Sequence, residues 1–409
     1  MGADLMRRSV TIAGALLLLA WIVPLTLPGA GVEARGAPEE ARGERRAGPV
    51  VELGGDRERD FRSAPVYRRF GQLTVYVRGL DAAARGQGER LVVTKQPAWV
   101  EDADARRVVV DRSLDELPTT PDRRAARAHV QLGEPGRSLA IGRYRLKVWL
   151  DDGQTRRAIA QRMLIIIFNA HHPADHGVYQ EDAARWLDGE LEMVRLHQGE
   201  PGITRYELDR DDRAVLALAL THLEGAQTAA DAARRAAAAA VEHVDGYWPG
   251  LTDEHGELPS QSPSGDPQWS DREEYRSAAE RLRAQDQRGQ CFDYTMLYVA
   301  VLRSVGVPSR AASVIDPGPI PHPYDADHRV AWMYHVWPEV FVAGDWHAAD
   351  VTYKDEDLAD DEDLVRKAGL QSRHGRWFAP MLEDGTEILT ARDGKMHEIT
   401  EEYQSRRRR

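Results

Sequence analysis

The chain of 409 residues contains one cysteine, Cys291. A single thiol excludes any intrachain disulfide, which leaves reactivity as a better reason for it than cross-linking. An inert buried cysteine is the plain alternative to a reactive one. The chain also lacks any excess of positive charge: its formal net charge is −12, which gives no footing for a nucleic-acid partner. The short basic tail, Arg406 to Arg409, reads as solvated. Long apolar runs are absent except near the start. There, Arg7 and Arg8 precede an apolar stretch from Val10 to Leu27 and a small-residue site at Val32-Glu33-Ala34. Residues 1–34 therefore read as a signal peptide, implying a secreted or periplasmic protein. An uncleaved membrane anchor is the alternative, and without it no stable membrane partner is expected. No cysteine lies nearby to carry a lipid. Residues 35–64 hold little to bury and read as a disordered linker.

Periodicity divides the remainder in two. In 65–168, Leu73, Val75 and Val77 alternate, and short β-prone runs recur at 108–110, 129–132, 144–150 and 163–168. That spacing predicts a β-sandwich. From 169 onward the pattern predicts helices over 181–194, 211–223, 226–244 and 272–285. Strands follow over 311–315, 335–342 and 346–351, and hairpins near Asp384-Gly385 and Asp393-Gly394. Five consecutive alanines, Ala236 to Ala240, suit close helix packing. Helices followed by an antiparallel sheet make an α+β class.

The most informative segment is Gly289-Gln290-Cys291, which opens a run with helical periodicity over Phe292, Met296, Leu297, Ala300, Val301 and Val305. Gly306 and Pro308 end it. A thiol in a helix's first turn faces the positive end of the dipole, which favours the nucleophilic thiolate. His335 and Asp350 follow at element boundaries, 15 residues apart. A hairpin would put Asp350 on the strand beside His335. Cys291 as nucleophile, His335 as base and Asp350 as orienter form an acyl-transfer arrangement. Asp345 competes for the last role. The backbone N–H at the helix start, or an indole N–H, would serve an oxyanion. His171, His172 and His176 suggest a metal site only weakly, because no Cys or Glu stands at ligand spacing.

Several segments, in order, resemble the animal-type transglutaminase family, the group of tissue transglutaminase and the coagulation factor XIII A-subunit. Gly289-Gln290-Cys291 is similar to its nucleophile motif, and Leu302 to Arg310 to its Leu-Arg-x-x-Gly-Ile-Pro-(Thr/Ser)-Arg. His335-Val336-Trp337-Pro338-Glu339 resembles His-x-Trp-x-Glu, and Trp346 to Asp350 resembles Trp-x-x-x-Asp. The resemblance implies a papain-like transglutaminase core over 169–409 behind an immunoglobulin-like β-sandwich over 65–168. It implies attack of Cys291 on glutamine carboxamides of protein or peptide substrates, with transfer to lysine amines or water. It carries over Trp248, Trp269 and Trp337 to the oxyanion and substrate channel. Asp384, Glu398, Glu401 and Glu402 are carried over loosely as calcium ligands, although the chemistry itself requires no cofactor. Phe292 replaces the family's Trp after the nucleophile, and residues for the two C-terminal β-barrels are missing. A cysteine peptidase or amidase, and a non-catalytic binding protein keeping the fold, are the alternatives.

Overall fold

The computed structural model describes residues 49–80, 88–102, 105–121, 125–133, 139–197, 200–246, 275–285, 288–289, 291–315, 320–322, 325–330, 335–349 and 387–407. The signal-peptide reading of residues 1–34 lies outside them. Among the described residues, no helix is long and apolar enough to cross a membrane.

Nine strands open the chain: β1 (Val50–Gly55), β2 (Arg57–Phe61), β3 (Ala64–Arg68), β4 (Gln72–Arg78), β5 (Arg90–Pro97), β6 (Arg107–Ser113), β7 (Ala125–Gln131), β8 (Gly142–Asp151) and β9 (Arg156–Ile167). They form one sheet of order β1-β4-β7 and another of order β2-β3-β9-β8-β5-β6. All pairs are antiparallel except β3–β9. Every second residue of β8 is buried, as a strand with one face on a core requires. Leu73, Val75, Val77 and Val130 of the first sheet meet Leu91, Val93, Leu146, Val148 and Leu164 of the second in a shared core.

The structure corrects the linker reading. Residues 50–61 are strands, not disordered chain. Val51 and Phe61 are buried, and the charges between them have partners. Arg59 donates to Asp211 at 2.7 Å and to the carbonyl of Ser304. Arg59 thus reaches the helical half, while Arg57 pairs with Asp60, Glu58 with Arg68 and Glu52 with Arg78 within the sandwich.

The end of β9 joins the two halves. Leu164 and Ile166 face the sandwich core, while Ile165, Ile167 and Phe168 face the helical core. A strand buried on both faces reads as an unbroken apolar run. Arg69 reinforces the junction. It pairs with buried Asp175 and donates to the carbonyls of Leu139 at 2.9 Å and Gln227 at 3.0 Å.

The second half contains α1 (Glu181–Ala184), β10 (Leu191–His197), β11 (Glu200–Tyr206), α2 (Arg213–Leu223), α3 (Ala229–His243), β12 (Asp245–Gly246), α4 (Ala278–Arg283), β13 (Arg288–Gly289) and α5 (Cys291–Ser304). Next come β14 (Ser309–Ile315), β15 (Ile320–His322), β16 (Asp325–Val330), β17 (His335–Val342), β18 (Asp345–Ala348), β19 (Glu387–Arg392), β20 (Lys395–Glu398) and α6 (Thr400–Arg407). The helix expected over 181–194 is corrected: α-helix ends at Ala184, a 3-10 turn carries it to Leu187, and Leu191 begins a strand. Gly189, at φ +85°, breaks the chain, after which Leu191 and Met193 alternate into the core. The helix expected over 272–285 covers only Ala278–Arg283 among the described residues.

α5 is the axis of this half. Every residue from Phe292 to Ser304 is buried, the mark of a helix enclosed on all sides. One side receives α3, whose buried alanines Ala229, Ala232, Ala233, Ala236, Ala239 and Ala240 make a continuous stripe. Another receives β17, which lies between β18 and β14 in the order β18-β17-β14-β19-β20. Two-residue turns with positive φ, Ala343-Gly344 and Asp393-Gly394, close the β17–β18 and β19–β20 hairpins. The Asp384-Gly385 hairpin lies outside the described residues.

Candidate active site

Gly289 and Gly246 pair in the short parallel ladder of β12 and β13, immediately before the Cys helix. A Cβ on Gly289 would run into Val244 Cγ1, so glycine is what permits this approach. Tyr294 donates its hydroxyl to the Val244 carbonyl at 2.7 Å, fixing the same corner from inside the helix. Arg281 Nε lies 3.5 Å from Asp293 Oδ1, with both side chains almost wholly buried. Phe292 stacks on Tyr206, and the Arg195 guanidinium lies over the Phe292 ring. Cys291 is thus the first residue of a helix clamped at its N-terminus, and it is half-buried and free. That placement leaves a thiol accessible at the helix's positive end.

His335 opens β17, opposite Val314 of β14. Thr295, one turn after Cys291, bridges the helix and this strand. Its hydroxyl lies 2.8 Å from the carbonyl of Cys291 and 3.5 Å from that of Val336. The backbone start of β17 therefore lies beside the first turn of α5. Past the hairpin, Ala349 donates its N–H to the Pro338 carbonyl at 2.8 Å. That returns the chain to within three residues of His335. Asp350, the next residue, lies outside the described residues, as do Trp248, Trp269 and Asp384.

Trp337 has a different place from the channel wall expected of it. Its side chain is fully buried on the face of β17 opposite Val336, and its indole N–H donates to Tyr403 Oη at 2.8 Å. Tyr403 in turn donates to Glu339 Oε1 at 2.6 Å. Arg310 Nε donates to Glu339 Oε2 at 2.6 Å, and a second Arg310 nitrogen donates to Glu402 at 2.8 Å. Arg310 also lies over the ring of Trp346. Burial alone opposes the Arg310 charge, but Glu339 and Glu402 outweigh it and hold its pKa above the ordinary value. The sequence suggested none of this network, because bonded partners such as Arg310 and Glu402 lie 92 residues apart.

The calcium candidates gain no common centre. Glu398 and Glu401 are exposed, and Glu402 is engaged by Arg310. Among the described residues, no set of three potential ligands includes any of these acids. His172 stacks on Phe70, and its Nδ1 accepts from the Ala174 N–H, which accounts for it as packing.

Residues 266–351 match the family model described as the transglutaminase-like superfamily. The match contains Cys291, His335 and Asp350, and the chain carries a transglutaminase-like domain. Its structure is similar to the crystal structure of red sea bream transglutaminase, with a TM-score of 0.56 and 14% identity. The similarity covers 75% of this chain and 53% of that one, so the chain spans about half that protein's length. The soluble domain of PmoD from Methylocystis sp. ATCC 49242 matches at a TM-score of 0.18 and 12% identity, over 29% of this chain and 90% of that one. No curated protein matches the sequence. The fold is transglutaminase-like.

Proposed function

We propose that this protein is an exported transglutaminase of the animal type, an acyltransferase acting on glutamine side chains. The observation that carries the reading is that the strand beginning at His335 packs beside the helix beginning at Cys291, with the Thr295 hydroxyl 3.5 Å from the Val336 carbonyl. The Cys291 thiolate attacks the γ-carboxamide carbon, and backbone N–H groups at the start of α5 receive the oxyanion. Collapse breaks the C–N bond, His335 delivers a proton to the nitrogen, and ammonia leaves. A thioester remains. A lysine amine or water then attacks it, giving up a proton to His335, and the thiol returns. Asp350 holds the imidazole in the productive tautomer. The substrates are proteins or peptides with exposed glutamine and lysine. The N-terminal sandwich is read as immunoglobulin-like, in keeping with that family.

The test is incorporation of a labelled primary amine into a glutamine-rich donor protein, with and without calcium, and with mass spectrometry of the products. The expected result is amine incorporation, glutamate formation or both, abolished in Cys291→Ala. Cleavage of the donor backbone instead would favour a peptidase. No change in the donor at all would reduce the chain to a binding protein.

A further inference from the structure

Away from Cys291, α2 and α3 bring together three side chains that the acyl-transfer reading does not use. His222 stands in the last turn of α2, and Glu242 and His243 in the last turn of α3. One ligating atom from each lies within 4.8 Å of the other two, and this is the one such set among the described residues. We propose that these residues bind a divalent transition-metal ion of the zinc class.

Four observations support it. First, His222 Nε2 and Glu242 Oε2 are 3.3 Å apart. Ligands about 2.0–2.1 Å from a tetrahedral Zn²⁺ are separated by roughly this distance, so two of the three atoms already stand at one edge of a coordination tetrahedron. Second, His243 Nδ1 lies 3.0 Å from the Ala239 carbonyl. A carbonyl can only accept, so Nδ1 carries the proton and Nε2 keeps the lone pair. Fixing one imidazole nitrogen on a backbone carbonyl is the usual support for a metal-binding histidine. Third, two imidazoles and one carboxylate suit zinc-class ions better than calcium, which prefers oxygen ligands alone. Fourth, both histidines stand at helix C-termini, where the partial negative charge of the last carbonyls favours a cation. The glutamate is exposed and the histidines are partly exposed, so an ion can enter and water can complete the shell.

The site lies one residue before Val244, the residue whose carbonyl receives the Tyr294 hydroxyl. A bound ion would thus tie α2 to the corner from which the Cys helix starts.

The experiment titrates the full chain, carrying Cys291→Ala to remove the thiol as a competing ligand, with Co²⁺ and then with Zn²⁺. One equivalent of Co²⁺ should give the intense visible absorption of a tetrahedral site. Zn²⁺ should displace it, Ca²⁺ and Mg²⁺ should not, and Zn²⁺ should raise Tm. His222→Ala or His243→Ala should each weaken binding by more than the ~10–100-fold cost of losing a second-shell partner. Glu242→Gln, at an exposed position that cannot disturb folding, should weaken it in the same direction. Absence of one-equivalent binding, or unchanged affinity in Glu242→Gln and both histidine variants, would overturn the proposal.

Discussion

Gly306 shows what a single residue contributes at the end of the Cys helix. It sits at φ +83°, and a Cβ there would run into the carbonyl of Phe168. The same contact region contains the hydrogen bond from Phe168 N–H to the Val305 carbonyl at 2.9 Å, which stitches the end of β9 to the end of α5. Gly306→Ala should therefore cost at least the ~1–3 kcal/mol of a strained backbone, plus displacement of the junction. Urea denaturation would measure it as a lowered midpoint at unchanged slope. A midpoint equal to that of the parent chain would mean the junction yields freely. The sequence marked Gly306 only as a helix stop. Its second role, allowing Phe168 to approach, depends on a residue 138 positions upstream by number and could not be read locally.

At the scale of the element, β17 matters because its two faces serve different purposes. Val336, Val340 and Val342 pack on the Cys-helix side, and Trp337 and Phe341 point away. Glu339 lies on that far side at the centre of a buried arrangement with Arg310 and Tyr403. Breaking a buried ion pair from one end costs about 3–5 kcal/mol, because the charge left behind stays desolvated. Glu339→Gln should fall toward the lower end of that range, since Glu402 still faces Arg310. Calorimetry would show it as a reduced Tm, and an unchanged Tm would mean that water or Glu402 replaces the lost charge in full.

The elements also show what was legible. Alternation gave β4, β-prone runs gave β8 and β17, and a 3.6-residue period with a terminal glycine gave α5. The first strands were hidden because Arg57-Glu58-Arg59-Asp60 looks like solvated chain when the distant partners of Arg59, Asp211 and Ser304, are out of view. Residues 191–194 were assigned to a helix because a short apolar run fits either period. Of the candidate site, Cys291 and the strand opened by His335 were legible from motif and spacing. The Arg310–Glu339–Tyr403 arrangement was not, because charge complementarity across a fold leaves no local trace.

For the whole molecule, β9 decides how the two halves respond to stress. A strand that gives alternate residues to two cores cannot leave one without opening the other. Arg69 and Arg59 add polar links across the same boundary. The described residues accordingly belong to one compact unit. The sandwich and the helical half should unfold in a single transition, with calorimetric and van't Hoff enthalpies in agreement. Asp175→Asn, which weakens the Arg69 link, should lower Tm and is the variant in which a second transition would first emerge. Two resolved transitions in the parent chain would show the halves to be independent.

Tyr403 belongs to the last helix in the chain, yet its hydroxyl lies behind the strand that His335 begins. Its position gives distal residues a hold on the neighbourhood of Cys291 without touching it. Deleting residues 400–407 would remove the Tyr403 hydroxyl from both the Trp337 indole and Glu339 in one stroke. Without that backing the strand that His335 begins would lose its support from behind, while the thiol itself stayed intact.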